Sequence, residues 1–367
     1  MKLHVVKRDN CPLWKIALFY AAAVLAALTV GGVLLAVMGV DPFAYYKLMF
    51  TMGTTNNPIA YKTWINYLKD LVPLVLVSLG LSLSFKMRFW NIGGEGQFIL
   101  GSLAAATVAF KLGPVLPGAL TLVVMCLAAM VAAGLYGLIV AALKVKFGTN
   151  ETLLTLMLNY LALYVLIFIG ETKADWNFFL QEKSARPVFE SFSKLASFPS
   201  IPMVGRFSLN VCVIFAAVIG ILVFVYLRYT KQGYEIAVVG DSPNTAKYAG
   251  MKVGRIVLRT VFLSAALIGL AAAFKVGTSG VLSTAITDDV GWTGIIVAWL
   301  AKLNTVGIFV VSALISLLHR GCVAANSQFS RVDSSFADML QGIILFMVLA
   351  ADFYVRFKVV ISKKGGK

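Results

Sequence analysis

The stretch WKIALFYAAAVLAALTVGGVLLAVMGV, residues 14–40, carries a single charge, Lys15. A second stretch, LPGALTLVVMCLAAMVAAGLYGLIVAAL at 116–143, carries none. A helix crosses a bilayer with roughly 20 apolar residues, and both stretches qualify. The whole chain leans the same way: 60% of its 367 residues are hydrophobic and 13% charged. Soluble domains hold roughly twice that share of charge. A transmembrane barrel requires short alternating segments, and none are visible. The chain reads as an all-α polytopic membrane protein.

Apolar blocks between polar breaks predict ten spans, near 16–39, 68–85, 92–112, 116–142, 152–170, 207–227, 257–277, 288–301, 304–319 and 338–356. The net charge of +16 is explained by basic anchors on cytoplasmic loops, and nucleic acid is not an expected partner. With the N-terminus inside and spans alternating, 20 of 32 basic and 6 of 16 acidic residues fall inside. The net is then +14 inside and +2 outside, the asymmetry of the positive-inside rule. Both termini are therefore expected in the cytoplasm. The basic start MKLHVVKRDNCPLWK resembles a signal peptide, but the run after it is too long for an h-region. It is read as an uncleaved first span.

The chain is expected to be one transmembrane domain over 1–367. Its parts are a first half (16–170), an outer loop (171–206) and a second half (207–356) that contains an inner loop (228–256). The third span of each half is short and opens with glycines and polar residues, NIGGEGQ in the first and TDDVGWTG in the second. Broken or re-entrant spans at matching positions of inverted halves point to a translocation pathway.

Polar residues in apolar surroundings mark candidate sites. Glu95, flanked by Asn91, Gln97 and three glycines, either lines a path as part of a broken helix or caps its own helix start. In FGTNETLLTLMLNYLA (147–162), Thr149 or Asn150 is a candidate N-cap, with Glu151 in the first turn. Thr152, Thr155 and Asn159 share one helix face, suited to a cavity or to a neighbouring helix. Asp288 and Asp289 suit a cap for the eighth span. Trp292 suits an interfacial anchor or a stacking surface. Asn304, Asn326 and Gln328 are weaker candidates. In the inner loop, Ser242-Pro243 predicts a cap and a first-turn proline, with a short helix from about 243 to 249.

Several chemistries find no support in the chain. Cys11, Cys126, Cys212 and Cys322 are scattered, without metal or disulfide spacing. His4 and His319 do not make a proton relay. No GxxxxGK[ST] phosphate loop occurs, so ATP-driven transport would need a separate ATPase. No nucleophile elbow or HExxH is present, and enzyme activity is not expected.

Four motifs in order, RFWNIGGEGQFILGS, GTNETLLTLMLNYLA, GYEIAVVGDSPNTAKYAGM and GWTGIIVAWLAKLN, resemble the permease subunits of bacterial ABC importers for nucleosides and simple sugars. This branch includes ribose and branched-chain amino-acid permeases, and the likeness is greatest to nucleoside permeases. It covers about 60 to 355. The resemblance implies an ATPase subunit with two nucleotide-binding domains, which binds the ATP and magnesium. It also implies a second, related permease, a lipid-anchored substrate-binding protein outside, and residence in the bacterial cytoplasmic (inner) membrane. By carry-over, Gly240, Asp241, Asn244, Ala246, Tyr248, Ala249 and Gly250 form the segment that couples to the ATPase. The motifs place substrate-pathway candidates at Asn91, Glu95, Gln97, Asn150, Glu151 and Asn159, with Trp292 beside them. These residues suit a neutral, polar, aromatic-bearing ligand. No dense patch of intramembrane Arg or Lys is present to hold a phosphate, which favours nucleosides over nucleotides.

Other classes compete. A sugar or amino-acid permease shares the architecture. An ion-coupled carrier would use Glu95 or Asp288/Asp289 and leave the structured inner loop unexplained. A membrane enzyme would gather residues such as Glu171, Asp175, Glu182, Arg186 and Glu190 of the outer loop, which read instead as a solvated docking surface.

Overall fold

The computed structural model describes residues 2–7, 12–55, 57, 59–203, 206–329, 331–333 and 335–362. Arg8, Cys11, Lys363, Lys364 and Lys367, part of the charge and cysteine reading above, lie outside the described residues. The helices are α1 (Leu13–Val37), α2 (Pro42–Thr51), α3 (Ala60–Lys86), α4 (Gly94–Lys111), α5 (Gly118–Phe147), α6 (Glu151–Glu171), α7 (Val211–Tyr229), α8 (Lys231–Asp241), α9 (Pro243–Tyr248), α10 (Val253–Ser279), α11 (Val290–Leu300), α12 (Thr305–Asn326) and α13 (Ser335–Arg356). Among the described residues, four short strands accompany them: β1 (Lys2–Lys7), β2 (Ser200–Pro202), β3 (Ser208–Asn210) and β4 (Phe357–Ser362).

Each of the ten predicted spans coincides with a helix. Eight, namely α1, α3, α5, α6, α7, α10, α12 and α13, are long and apolar enough to cross a membrane. The remaining two are α4 and α11, the third of each half. The 11 residues of α11 extend about 16 Å, near half of the roughly 30 Å hydrocarbon layer. The predicted short helix in the inner loop is α9, and its cap is as expected: the Thr245 amide donates to Ser242 Oγ at 3.2 Å. Two helices were not anticipated. α2 starts because Asp41 accepts from the Phe43 amide at 2.9 Å with Pro42 in the first turn. α8 starts because Thr230 accepts from the Gly233 amide at 3.1 Å. The strands are also additions to the all-α expectation.

The chain divides into two compact units that do not follow the sequence halves. One comprises residues 1–63 and 314–367, the other 64–313. In the first, α1 packs along α13. Its core gathers Leu35, Tyr45, Met49, Cys322, Phe336 and Leu340. The Tyr45 hydroxyl, in a fully buried residue, donates to Asn326 Oδ1 at 2.8 Å, so a buried polar atom keeps a partner. β1 pairs antiparallel with β4, Lys2 opposite Ser362, so the two strands lie at one end of this unit.

In the second unit, α3 and α10 are buried over most of their length. A helix enclosed by protein on all sides can be apolar all round, as 72–85 nearly is. α4, α5 and α10 cross at small residues. A Cβ on Gly269 would lie 2.2 Å from the Ala129 carbonyl oxygen, and one on Gly101 would lie 2.8 Å from Gly269 Cα. Small residues allow such approach, and close packing then holds membrane helices together without help from water. The segment after α6 is tied down as well: the Phe192 amide donates to the Gly280 carbonyl (2.9 Å) and that of Phe198 to Gly277 (3.1 Å). Gly269→Leu is expected to separate α5 from α10, at a cost of at least about 1–3 kcal/mol. A fall in the detergent-solubilised protein's melting temperature checks this.

Candidate functional site

The site grows from the end of α3. The helix closes with Arg88 in the left-handed region, φ 56°, and the chain then runs non-helically to Gly94. Backbone without helical bonds is tolerated at membrane depth only where protein satisfies it. Asn91 and Gln97 exchange two side-chain amide bonds, of 3.1 and 3.0 Å. Asn91 Oδ1 also accepts from the Gly93 amide at 3.1 Å.

α6 supplies the remaining partners. Asn159 Nδ2 donates to the Ile92 carbonyl, and its Oδ1 accepts from the Gly96 amide, both at 2.8 Å. Thr155 Oγ1 accepts from the Ile92 amide at 3.2 Å. Thr155 and Asn159 sit one helical turn apart, the shared face expected from their spacing. Their polar stripe grips the turn.

Glu95 neither caps its own helix nor stands alone. It is 7% exposed, and its Oε2 accepts from the Gly291 amide of α11 at 2.9 Å. A Cβ on Gly291 would lie 2.4 Å from both the Glu95 amide nitrogen and Oε2. The first turns of α4 and α11 therefore meet in direct contact. Each N-terminus carries roughly half a positive charge, and the Glu95 side chain lies where both are felt. The cap suggested for Asp288 and Asp289 is corrected here. Asp289 occupies the N-cap position of α11 at φ 52° and makes no capping bond. Asp288 pairs with Lys275 at 3.7 Å, and Lys275 also meets Asp70 at 3.4 Å.

The other named residues are placed as follows. Asn150 caps α6, accepting from the amides of Thr152 (3.0 Å) and Leu153 (3.2 Å). Glu151 forms an ion pair with Lys144. Trp292 is half-buried in the first turn of α11. Asn304 bonds the amides of Val306 and Gly307 at the start of α12. Glu171, Asp175, Glu182, Arg186 and Glu190 are all exposed. Sequence reasoning missed Trp90 and Trp299, which stack with rings 5.2 Å apart and 9° from parallel, with Phe85 against both. The tryptophans were visible in the chain, but no local spacing joins them.

In the expected coupling segment, two residues face inward. A Cβ on Gly240 would lie 2.1 Å from the Lys86 carbonyl oxygen, so only glycine fits there against the end of α3. Ala246 is 0% exposed, within a cluster of Met87, Phe89, Ile236, Val239 and Ile256. Asp241, Asn244, Tyr248, Ala249 and Gly250 are exposed, and Tyr248 is 93% exposed.

Asn159→Leu removes two bonds from a buried turn. Each buried group left unpaired costs about 1–3 kcal/mol, so the variant is expected to melt well below the wild type. Glu95→Ala is expected to destabilise more than Glu95→Gln, whose amide oxygen still accepts from Gly291. Melting of both variants in detergent checks this.

The sequence profile of a family described as branched-chain amino acid transport system / permease component matches residues 63–349. A glucose ABC transporter permease protein of Haloferax volcanii is 29% identical over 99% of this chain and 94% of its own. A guanosine ABC transporter permease protein of Bacillus subtilis is 29% identical over 82% of this chain and 84% of its own. A nucleoside ABC transporter permease protein of Lactococcus lactis is 25% identical over 82% of each chain. The matched span contains the gripped turn, the α4–α11 joint and α9, and the chain belongs to this permease family, as a multi-pass transport subunit of an ABC importer rather than an enzyme.

Proposed function

We propose that this chain forms half of the translocation pathway of a nucleoside importer in the bacterial cytoplasmic membrane, with both termini in the cytoplasm. A second, related permease supplies the other half. An ATPase with two nucleotide-binding domains binds the ATP and magnesium, and a lipid-anchored binding protein delivers substrate outside. The substrate reading is supported by the relatives named for guanosine and nucleosides, which match four-fifths of the chain.

In this reading the pathway runs beside the gripped turn. Asn91, Gln97 and Asn159 hold its wall in shape, because their amides are taken up by one another and by backbone. Glu95 fixes α11 to that wall, and Trp292 offers a ring to the base. Asn150 and Glu151 order the neighbouring start of α6.

The coupling reading is carried by one observation: α9 has its inner residue Ala246 fully buried and Tyr248 almost fully exposed. A short helix held rigidly on one side and bare on the other transmits a partner's movement as a rigid body. Asp241, Asn244, Ala249 and Gly250 complete the outward surface.

A second reading is favoured by the glucose permease relative, which matches nearly the whole chain. Competition of labelled guanosine uptake separates the two. Excess unlabelled adenosine is expected to suppress uptake, and excess glucose to leave it unchanged. Accumulation of glucose with no guanosine uptake would establish the sugar reading instead. Tyr248→Ala is expected to change stability by no more than about 0.5 kcal/mol, as for exposed sites. The same variant is expected to lose the copurifying ATPase, measured by affinity capture of the permease from detergent extract.

A further inference from the structure

Beside the coupling helix lies a cavity of about 350 Å³, lined in part by Gly240 of the coupling segment, to which the transport reading assigns no occupant. Its apolar wall includes Met87, Phe89, Val145, Val239 and Val257. Arg88, Lys144 and Lys247 line it as well, and no aspartate or glutamate does. Lys144 is paired with Glu151 and lies over the Phe89 ring. Arg88 and Lys247 form no ion pair among the described residues, and both are exposed.

Depth in the membrane narrows the occupant. Val145 and Phe147, at the end of α5, are exposed large apolar side chains. They alternate with Lys144 and Lys146. Apolar side chains open to the surroundings, interleaved with lysines, mark the level where acyl chains give way to headgroups. Lys144 and Val145 also line the cavity, which puts that part of its wall at the same level. An anion with a hydrocarbon tail matches cations and apolar wall together, whereas a free anion uses only the cations.

We propose that this cavity binds an anionic phospholipid, with its phosphate between Arg88 and Lys247 and its upper acyl chain along Val145 and Val257. Pro243 and Lys247 of α9 line the same cavity, so a bound lipid braces the coupling helix against the ends of α3, α5 and α10. Basic pockets between helices on the cytoplasmic side are suited to such headgroups.

The test uses the full chain, purified with its bound partners and placed in phosphatidylcholine nanodiscs with spin-labelled phosphatidylglycerol. The wild type is expected to immobilise a fraction of the label. Arg88→Gln with Lys247→Gln removes two charges and is expected to weaken that binding about 30-fold. Arg88→Lys with Lys247→Arg keeps both charges and is expected to retain it, which separates loss of charge from loss of fold. The proposal is overturned if the glutamine pair immobilises as much label as the wild type. It is equally overturned if spin-labelled phosphatidylcholine is held as well, or if millimolar glycerol phosphate displaces the lipid. Unchanged lipid binding with loss of the copurified ATPase would assign the cavity to a protein partner and reject the lipid.

Discussion

Everything in the second unit depends on how the backbone from 91 to 96 finds its hydrogen bonds. Residues 91–93 are not helical, and 94–96 form the first turn of α4, whose amides have no partner within the helix. The chain solves the problem with side chains that imitate a helix. Asn91 accepts from Gly93, Gln97 locks Asn91, and Asn159 serves one donor and one acceptor at once. Polar residues in the spans are thus tied to a backbone need before they are tied to a substrate. The same arrangement leaves the first turn of α4 open toward α11.

The contact of those two turns joins elements from opposite halves of the sequence. Glu95 ties the two helix N-termini together by accepting from the Gly291 amide, and glycine at 291 lets the backbones close in. From the joint, a series of elements in contact leads to α9. Glu95 begins α4, the gripped turn precedes it, Lys86 ends α3 before that, and Gly240 of α8 rests on Lys86. α9 follows α8 directly. α9 and α11 are thus linked through elements that touch in series.

Much of the fold was legible because its signals are local. Apolar runs gave the spans, since length and hydropathy alone decide whether a helix crosses. Ser242-Pro243 marked α9 and Asn150 marked the start of α6, because capping is settled within three residues. The spacing of Thr155 and Asn159 placed them on one face. α2 and α8 escaped notice even though Asp41-Pro42 and Thr230 mark them, because each lies in a segment read as a loop between spans.

The candidate site was legible only as a set of residue types. Glu95 stood out as a carboxylate inside an apolar run. That its partner is Gly291, and that Asp289 does not cap α11, depends on two segments 196 residues apart. The stack of Trp90 on Trp299 and the cavity of Arg88 and Lys247 arise the same way. The sequence by itself determined that the chain must live in a bilayer, where its spans lie and that Asn150 and Ser242 start helices, because these follow from neighbours along the chain. Only the tertiary structure decided which polar groups meet, because hydrogen bonds and charge pairs require approach within about 3–4 Å, and no local pattern encodes that approach.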